Sequence, residues 1–96
     1  MRHMYIRVAL ASFDPIRLDE ALVVFRERGL PSMREAPGLH NVYFGVDREN
    51  GRVTVISTWD TLEQASFVPA SDFVARLQAL SVQAEQPAIY EVTDQV

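Results

Sequence analysis

Residues 4–12, MYIRVALAS, alternate with a period of two, with Met4, Ile6, Val8 and Leu10 on one face and Tyr5, Arg7, Ala9 and Ala11 on the other. This pattern predicts a strand with a strongly apolar face towards a core and a mixed face away from it. FDP punctuates the strand, and Asp14 is placed to cap a helix that has Pro15 at its first position. The period then lengthens. Leu18, Ala21, Leu22 and Phe25 share a helical face to about Arg28, Gly29 stands where a C-terminal cap is wanted, and Pro31 argues against continuation. LPSMREAPG is expected to be a loop.

Residues 39–60 predict a hairpin around RENGR, because Asn50-Gly51 tolerates the positive φ of a type I′ turn. A two-residue turn pairs Val46 with Val55, Phe44 with Ser57 and Val42 with Trp59. A four-residue loop shifts the register by two and leaves the faces unchanged. In both cases Val42, Phe44, Val46, Val53, Val55 and Trp59 share one face, and Asn41, Tyr43, Gly45, Thr54, Ile56 and Thr58 the other. Asp60 or Thr61 then caps a short helix, with Gln64 spaced for a capping box. Helix resumes near Ser71 with Phe73, Leu77, Leu80 and Ala84 on one face, and AIYEVTDQV after Pro87 reads as a last strand. The order β-α-β-β-α-β, with two amphipathic helices, defines an α+β, ferredoxin-like domain: a four-stranded antiparallel sheet with helices on one face. Residues 1–96 form one domain, and MRHM reads as a cloning remnant over residues 1–3 ahead of a native Met4.

The other sheet face, assigned Tyr5, Ala9, Ala11, Tyr43, Ile56 and Ile89, is too apolar for simple solvation. It predicts a homodimer whose interface uses Tyr5, Arg7, Tyr43 and Ile56. Composition removes several alternatives. The net charge is −4 and the nine cations, all arginine, are scattered among acids, so nucleic acid is not expected as a partner. There is no cysteine, no apolar run of membrane-spanning length and no signal-peptide pattern, so a cytoplasmic protein without membrane partners is expected.

The element order, APG before the second strand, and VTVISTWDTLEQASF followed by SDFV together resemble the antibiotic biosynthesis monooxygenase (ABM) superfamily over nearly the whole chain. The resemblance implies a dimeric α+β barrel. It also implies one of three roles: cofactor-independent oxidation of polyphenolic aromatics, haem degradation, or no assigned reaction. The haem-degrading branch carries an Asn on strand one and a Trp and a His on the second helical region. YIRVALA here has no Asn, and Val68 and Gln78 occupy the other two positions. Haem degradation is therefore not expected.

Trp59, the single tryptophan, reads as the plug of the strand-helix corner, its functional alternative being a pocket wall. With Phe44 and Ser57 it forms the candidate ligand pocket. His40, at the start of strand two, is the candidate general base for a phenolic proton, and Tyr90 on the last strand the second candidate catalytic group. Neither histidine lies in a ligand-spaced cluster, so no metal and no cofactor are expected. The sequence thus predicts an ABM-type protein, as an enzyme a cofactor-independent monooxygenase or isomerase of a small aromatic or quinone-like molecule. The alternative is a non-catalytic dimeric module that binds a ligand or another protein.

Overall fold

The computed structural model describes residues 3–96; the first two residues of the segment read as a cloning remnant lie outside it. The hairpin joins β2 (Leu39–Asp47) to β3 (Arg52–Trp59). Asp47 faces Arg52, which leaves the four-residue loop 48–51, so Val46 pairs with Val53, Phe44 with Val55 and Val42 with Ser57. The loop is longer than the type I′ turn because Asp47 organises it. Its Oδ1 accepts the Asn50 backbone N–H at 3.3 Å and its Oδ2 accepts Asn50 Nδ2–H at 2.9 Å. Those bonds hold the Asp47 carboxyl below its usual range. Gly51 has φ +67°, and a Cβ there would stand 2.1 Å from the Phe13 carbonyl oxygen, so only glycine fits. A bulge between Leu39 and Asn41 sets Leu39 opposite Trp59 and leaves His40 as the extra residue.

β1 (Tyr5–Ser12) lies beside β3, antiparallel. Its faces are the reverse of the sequence expectation. Tyr5 pairs with Trp59, Arg7 with Ser57, Ala9 with Val55 and Ala11 with Val53, so this set faces the helices. Ile6, Val8 and Leu10 lie on the open face with Ile56 and Tyr43. The physical reason is Phe13, which shares the parity of Ala11, is buried in the core and donates its N–H to Gly51 O at 2.8 Å. Anchoring Phe13 inward fixes the phase of the strand before it. The last strand is also split. β4 (Gln83–Ala84) and β5 (Ala88–Glu91) both pair with β1, on either side of Pro87, which has no N–H to give a ladder. Ile89 pairs with Arg7 and Tyr90 with Ile6, which puts Ile89 on the helix side and Tyr90 on the open face, again the reverse of the expectation. The sheet order is β2-β3-β1-β4, with β5 also on β1. This is the ferredoxin-like arrangement.

The first helical stretch starts as expected, with Asp14 Oδ1 accepting the Ile16 N–H at 3.0 Å and Pro15 opening a 3₁₀ turn, Pro15–Arg17. It does not stop at Gly29. α1 (Leu18–Val24) passes through a π turn, Phe25–Gly29, into α2 (Leu30–Arg34), where a loop was expected. Leu30 N–H bonds Phe25 O, and this widened turn makes room for the ring of Pro31, which also lacks an N–H. Gly29 is right-handed helical, not a left-handed cap. It is small because a Cβ there would lie 2.8 Å from the Phe73 ring. α3 (Leu62–Ala65) is capped by Thr61 Oγ1, which accepts the Gln64 N–H at 3.1 Å. α4 (Ser71–Ala79) buries Phe73 and Leu77 and is followed by the left-handed Ser81, with φ 57°, so Ala84 lies in β4 rather than on the helix face. Arg28–Asp72 (2.7 Å) and Arg76–Glu27 (3.0 Å) bridge α4 to the π turn across the helical layer.

Candidate ligand cavity

Between the sheet and this helical layer lies a cavity of about 390 Å³. Its floor is the inward face of β1 and β3, where Ala9 and Ala11 are short and Val53 and Val55 apolar. Phe25, Met33, Phe73 and Leu77 form its roof, and Phe67 closes one side. The room comes from the phase of β1. Two alanines stand where Val8 and Leu10 would have filled the layer, and Gly29 lets Phe73 approach the π turn.

One charged side chain is buried in this wall. Arg7 is only 5% exposed. Its Nη2–H donates to Phe67 O at 3.3 Å, and its guanidinium lies 5.8 Å from the Phe67 ring centroid. Trp59, fully buried, stacks on the same Phe67 ring at 5.8 Å and 24°. Trp59 Nε1–H in turn donates to the buried Ser57 Oγ at 2.8 Å. Burial lowers the Arg7 pKa from its usual value, although an arginine remains charged there.

The residues singled out in the sequence fall around this cavity rather than in it. Trp59 is the core plug, one layer behind Phe67, and Ser57 is its acceptor. Phe44 packs on Phe25 at 5.0 Å, behind the cavity's roof. His40 sits at the bulge with Nε2 2.5 Å from Asp60 Oδ1, outside the cavity lining. Tyr90 is 57% exposed on the open face. β2 and β5 lie at opposite edges of the sheet, three strand spacings or roughly 14 Å apart, so His40 and Tyr90 do not converge. Tyr43 and Ile56 occupy the open face as expected, whereas Tyr5 and Arg7 turn inward. Arg7 is the functional candidate that the sequence placed on the wrong face; its parity with Phe13 was the available signal.

The cavity wall offers no imidazole, thiolate or phenolate, and Met33 is its one side chain of axial-ligand type. These residues do not fit haem. Among the described residues no group of three or more His, Cys, Asp or Glu is arranged to hold a metal ion. Among the described residues no helix is long and apolar enough to cross a membrane.

The chain has a ferredoxin-like α+β fold that it shares with solved structures named as antibiotic biosynthesis monooxygenases. It is similar to a candidate antibiotic biosynthesis monooxygenase from Deinococcus radiodurans at a TM-score of 0.79 and 15% identity, over 96% of this chain and 95% of that one. A candidate of the same name from Chloroflexus aurantiacus matches at 0.69 and 15% identity, over 97% and 96%. A third, from Bordetella bronchiseptica, matches at 0.68 and 19%, over 99% and 100%. No protein-family model and no curated protein matches the sequence.

Proposed function

We propose that this protein takes a small aromatic or quinone-like molecule into the cavity between sheet and helices and oxidises it without a cofactor, a reading to which the monooxygenase names of the similar structures lend the reaction class. The observation that carries the reading is the cavity itself: about 390 Å³, apolar, with Phe25, Phe67 and Phe73 offering ring edges and faces to an aromatic guest. In such an oxidation the substrate ring supplies all the electrons to O₂. One oxygen atom enters the ring as a quinone carbonyl and the other leaves as water. The chain's part is to bind and orient the ring and to exclude bulk water.

A second reading, binding without turnover, is supported by a specific feature. The wall holds no imidazole or phenol to take a proton, and its single carboxylate, Glu85, is exposed at the rim. Titrating the protein with a panel of phenols and hydroquinones, by calorimetry and with an oxygen electrode, separates the two. Saturable binding with protein-dependent oxygen uptake and quinone formation supports oxidation; binding alone supports the second reading. No binding by any member rejects both.

A homodimer belongs to the same proposal. Ile6, Val8, Leu10, Tyr43, Ile56 and Tyr90 give the open face an apolar surface, with Tyr43 69% and Leu10 43% exposed in the single chain. Light scattering at micromolar concentration should return twice the chain mass, and a monomer stable at high concentration would reject it.

A further inference from the structure

We infer that the cavity selects its guest as a monoanion, a phenolate, enolate or carboxylate on an apolar ring, with Arg7 as the counter-charge. The inference deepens the proposal above and rests on it. A guanidinium that is 5% exposed beside an apolar cavity is an expensive group to retain unless something answers its charge. Among the described residues no carboxylate pairs with Arg7: its contacts are the Phe67 carbonyl and the face of the Phe67 ring. Most of its N–H donors therefore have no protein acceptor, and the side chain borders the cavity. The residues set directly against it are neutral: Ser57 on β3, Ile89 on β5 and Phe67 on the segment before α4. The carboxylate on the same face, Glu91 opposite Tyr5 on β5, is exposed and faces His3 at 3.5 Å.

The cavity is also polarised along its length. Among the described residues the only carboxylate on its wall is Glu85, whose N–H bonds Leu10 O, three residues along β1 from Arg7 and so roughly 10 Å away. A cation at one end and a carboxylate at the other favour a guest with one anionic oxygen, directed at Arg7. A second anionic group at the far end is disfavoured by Glu85. Arg7 also stabilises the ionised form of a bound phenol, the electron-rich form that an oxidation needs.

The test uses 4-nitrophenol, whose anion absorbs visibly, and 4-nitroanisole, which cannot ionise. With the parent protein the phenolate should bind at least about tenfold more tightly than the anisole. The bound phenol's apparent pKa should lie about one unit or more below that of the free molecule. Arg7→Gln should abolish the preference and raise the bound pKa above the free value, while 4-nitroanisole still binds; Arg7→Lys should restore part of the preference. Equal binding of the two molecules by the parent, or an unlowered pKa, overturns the role of Arg7 and leaves the cavity proposal standing. Retention of the preference in Arg7→Gln overturns it too. Failure of both molecules to bind overturns the cavity proposal as well. Should a variant not fold, the comparison of the two molecules on the parent protein decides.

Discussion

Replacing Trp59 by alanine removes a fully buried indole, its stacking on Phe67 and its hydrogen bond to Ser57 Oγ. Truncations of this size cost about 3–5 kcal/mol. A domain of 96 residues has about 5–14 kcal/mol of total stability, at the usual value per residue, so Trp59→Ala should be marginally folded or unfolded. Trp59→Phe separates the packing from the hydrogen bond. It keeps most of the aromatic volume but leaves the buried Ser57 hydroxyl without its donor, at a cost of about 1–3 kcal/mol. Adding Ser57→Ala to Trp59→Phe removes the orphaned oxygen, so the double variant should recover about 1 kcal/mol relative to the sum of the single changes. Urea denaturation followed by far-ultraviolet circular dichroism measures the parent, Trp59→Ala, Trp59→Phe, Ser57→Ala and the double variant alike, since the single tryptophan is lost in three of them. The midpoint should fall at an unchanged slope. Strictly additive single and double variants would refute the hydrogen-bond argument. A parent-like midpoint for Trp59→Ala would refute the placement of Trp59 in the core.

Gly29→Ala, although helix-favouring in itself, should destabilise by about 1–3 kcal/mol or shrink the cavity by driving the Phe73 ring into it, read by denaturation and by weakened ligand binding. Gly51→Ala combines a positive φ with a clash against Phe13 O and should lower the denaturation midpoint more than Gly29→Ala does. Asp47, held down by Asn50, and Asp72, held down by Arg28, both have folded pKa values below the unfolded 3.8. Their contribution is complete above that pH and is lost as pH falls through the folded values, so an acid titration of Asp47→Asn should show a flatter loss of stability below about pH 4. Ile56→Asp, on the open face, should leave the circular dichroism unchanged and halve the mass measured by light scattering if a second copy covers that face.

Hairpin, element order and both helix starts were legible because each rests on a local rule. Asn50-Gly51 carries a turn, Asp14-Pro15 a helix start, and Thr61 a cap, although the Gln64 side chain does not complete the expected capping box, its buried Oε1 having no partner among the described residues. What was misread depends on contacts distant in sequence. Gly29 and Pro31 have the composition of a helix stop, yet the π turn absorbs the proline, and the glycine answers Phe73 on another helix. β1 has apolar residues at both parities, and the more hydrophobic set is the one left open. Phase is set by Phe13, tied to Gly51 across the hairpin. That phase error placed Arg7 at an interface, and a separate one on β5 placed Tyr90 in a cleft. His40 and Trp59 were noticed for their chemistry, but one sits at a bulge beside Asp60 and the other is packed behind Phe67.

The most direct measurement is a methyl-resolved nuclear magnetic resonance titration with 4-nitrophenol, including intermolecular contacts to the ring protons. Binding in the cavity beside Arg7 predicts shifts and contacts at the Val53, Val55 and Leu77 methyls and at Met33, all of which line it. The methyls of Ile6, Val8 and Ile56 on the open face should stay still. Contacts confined to that open face, or to the neighbourhood of His40 and Asp60, would contradict the assignment of the cavity as the site.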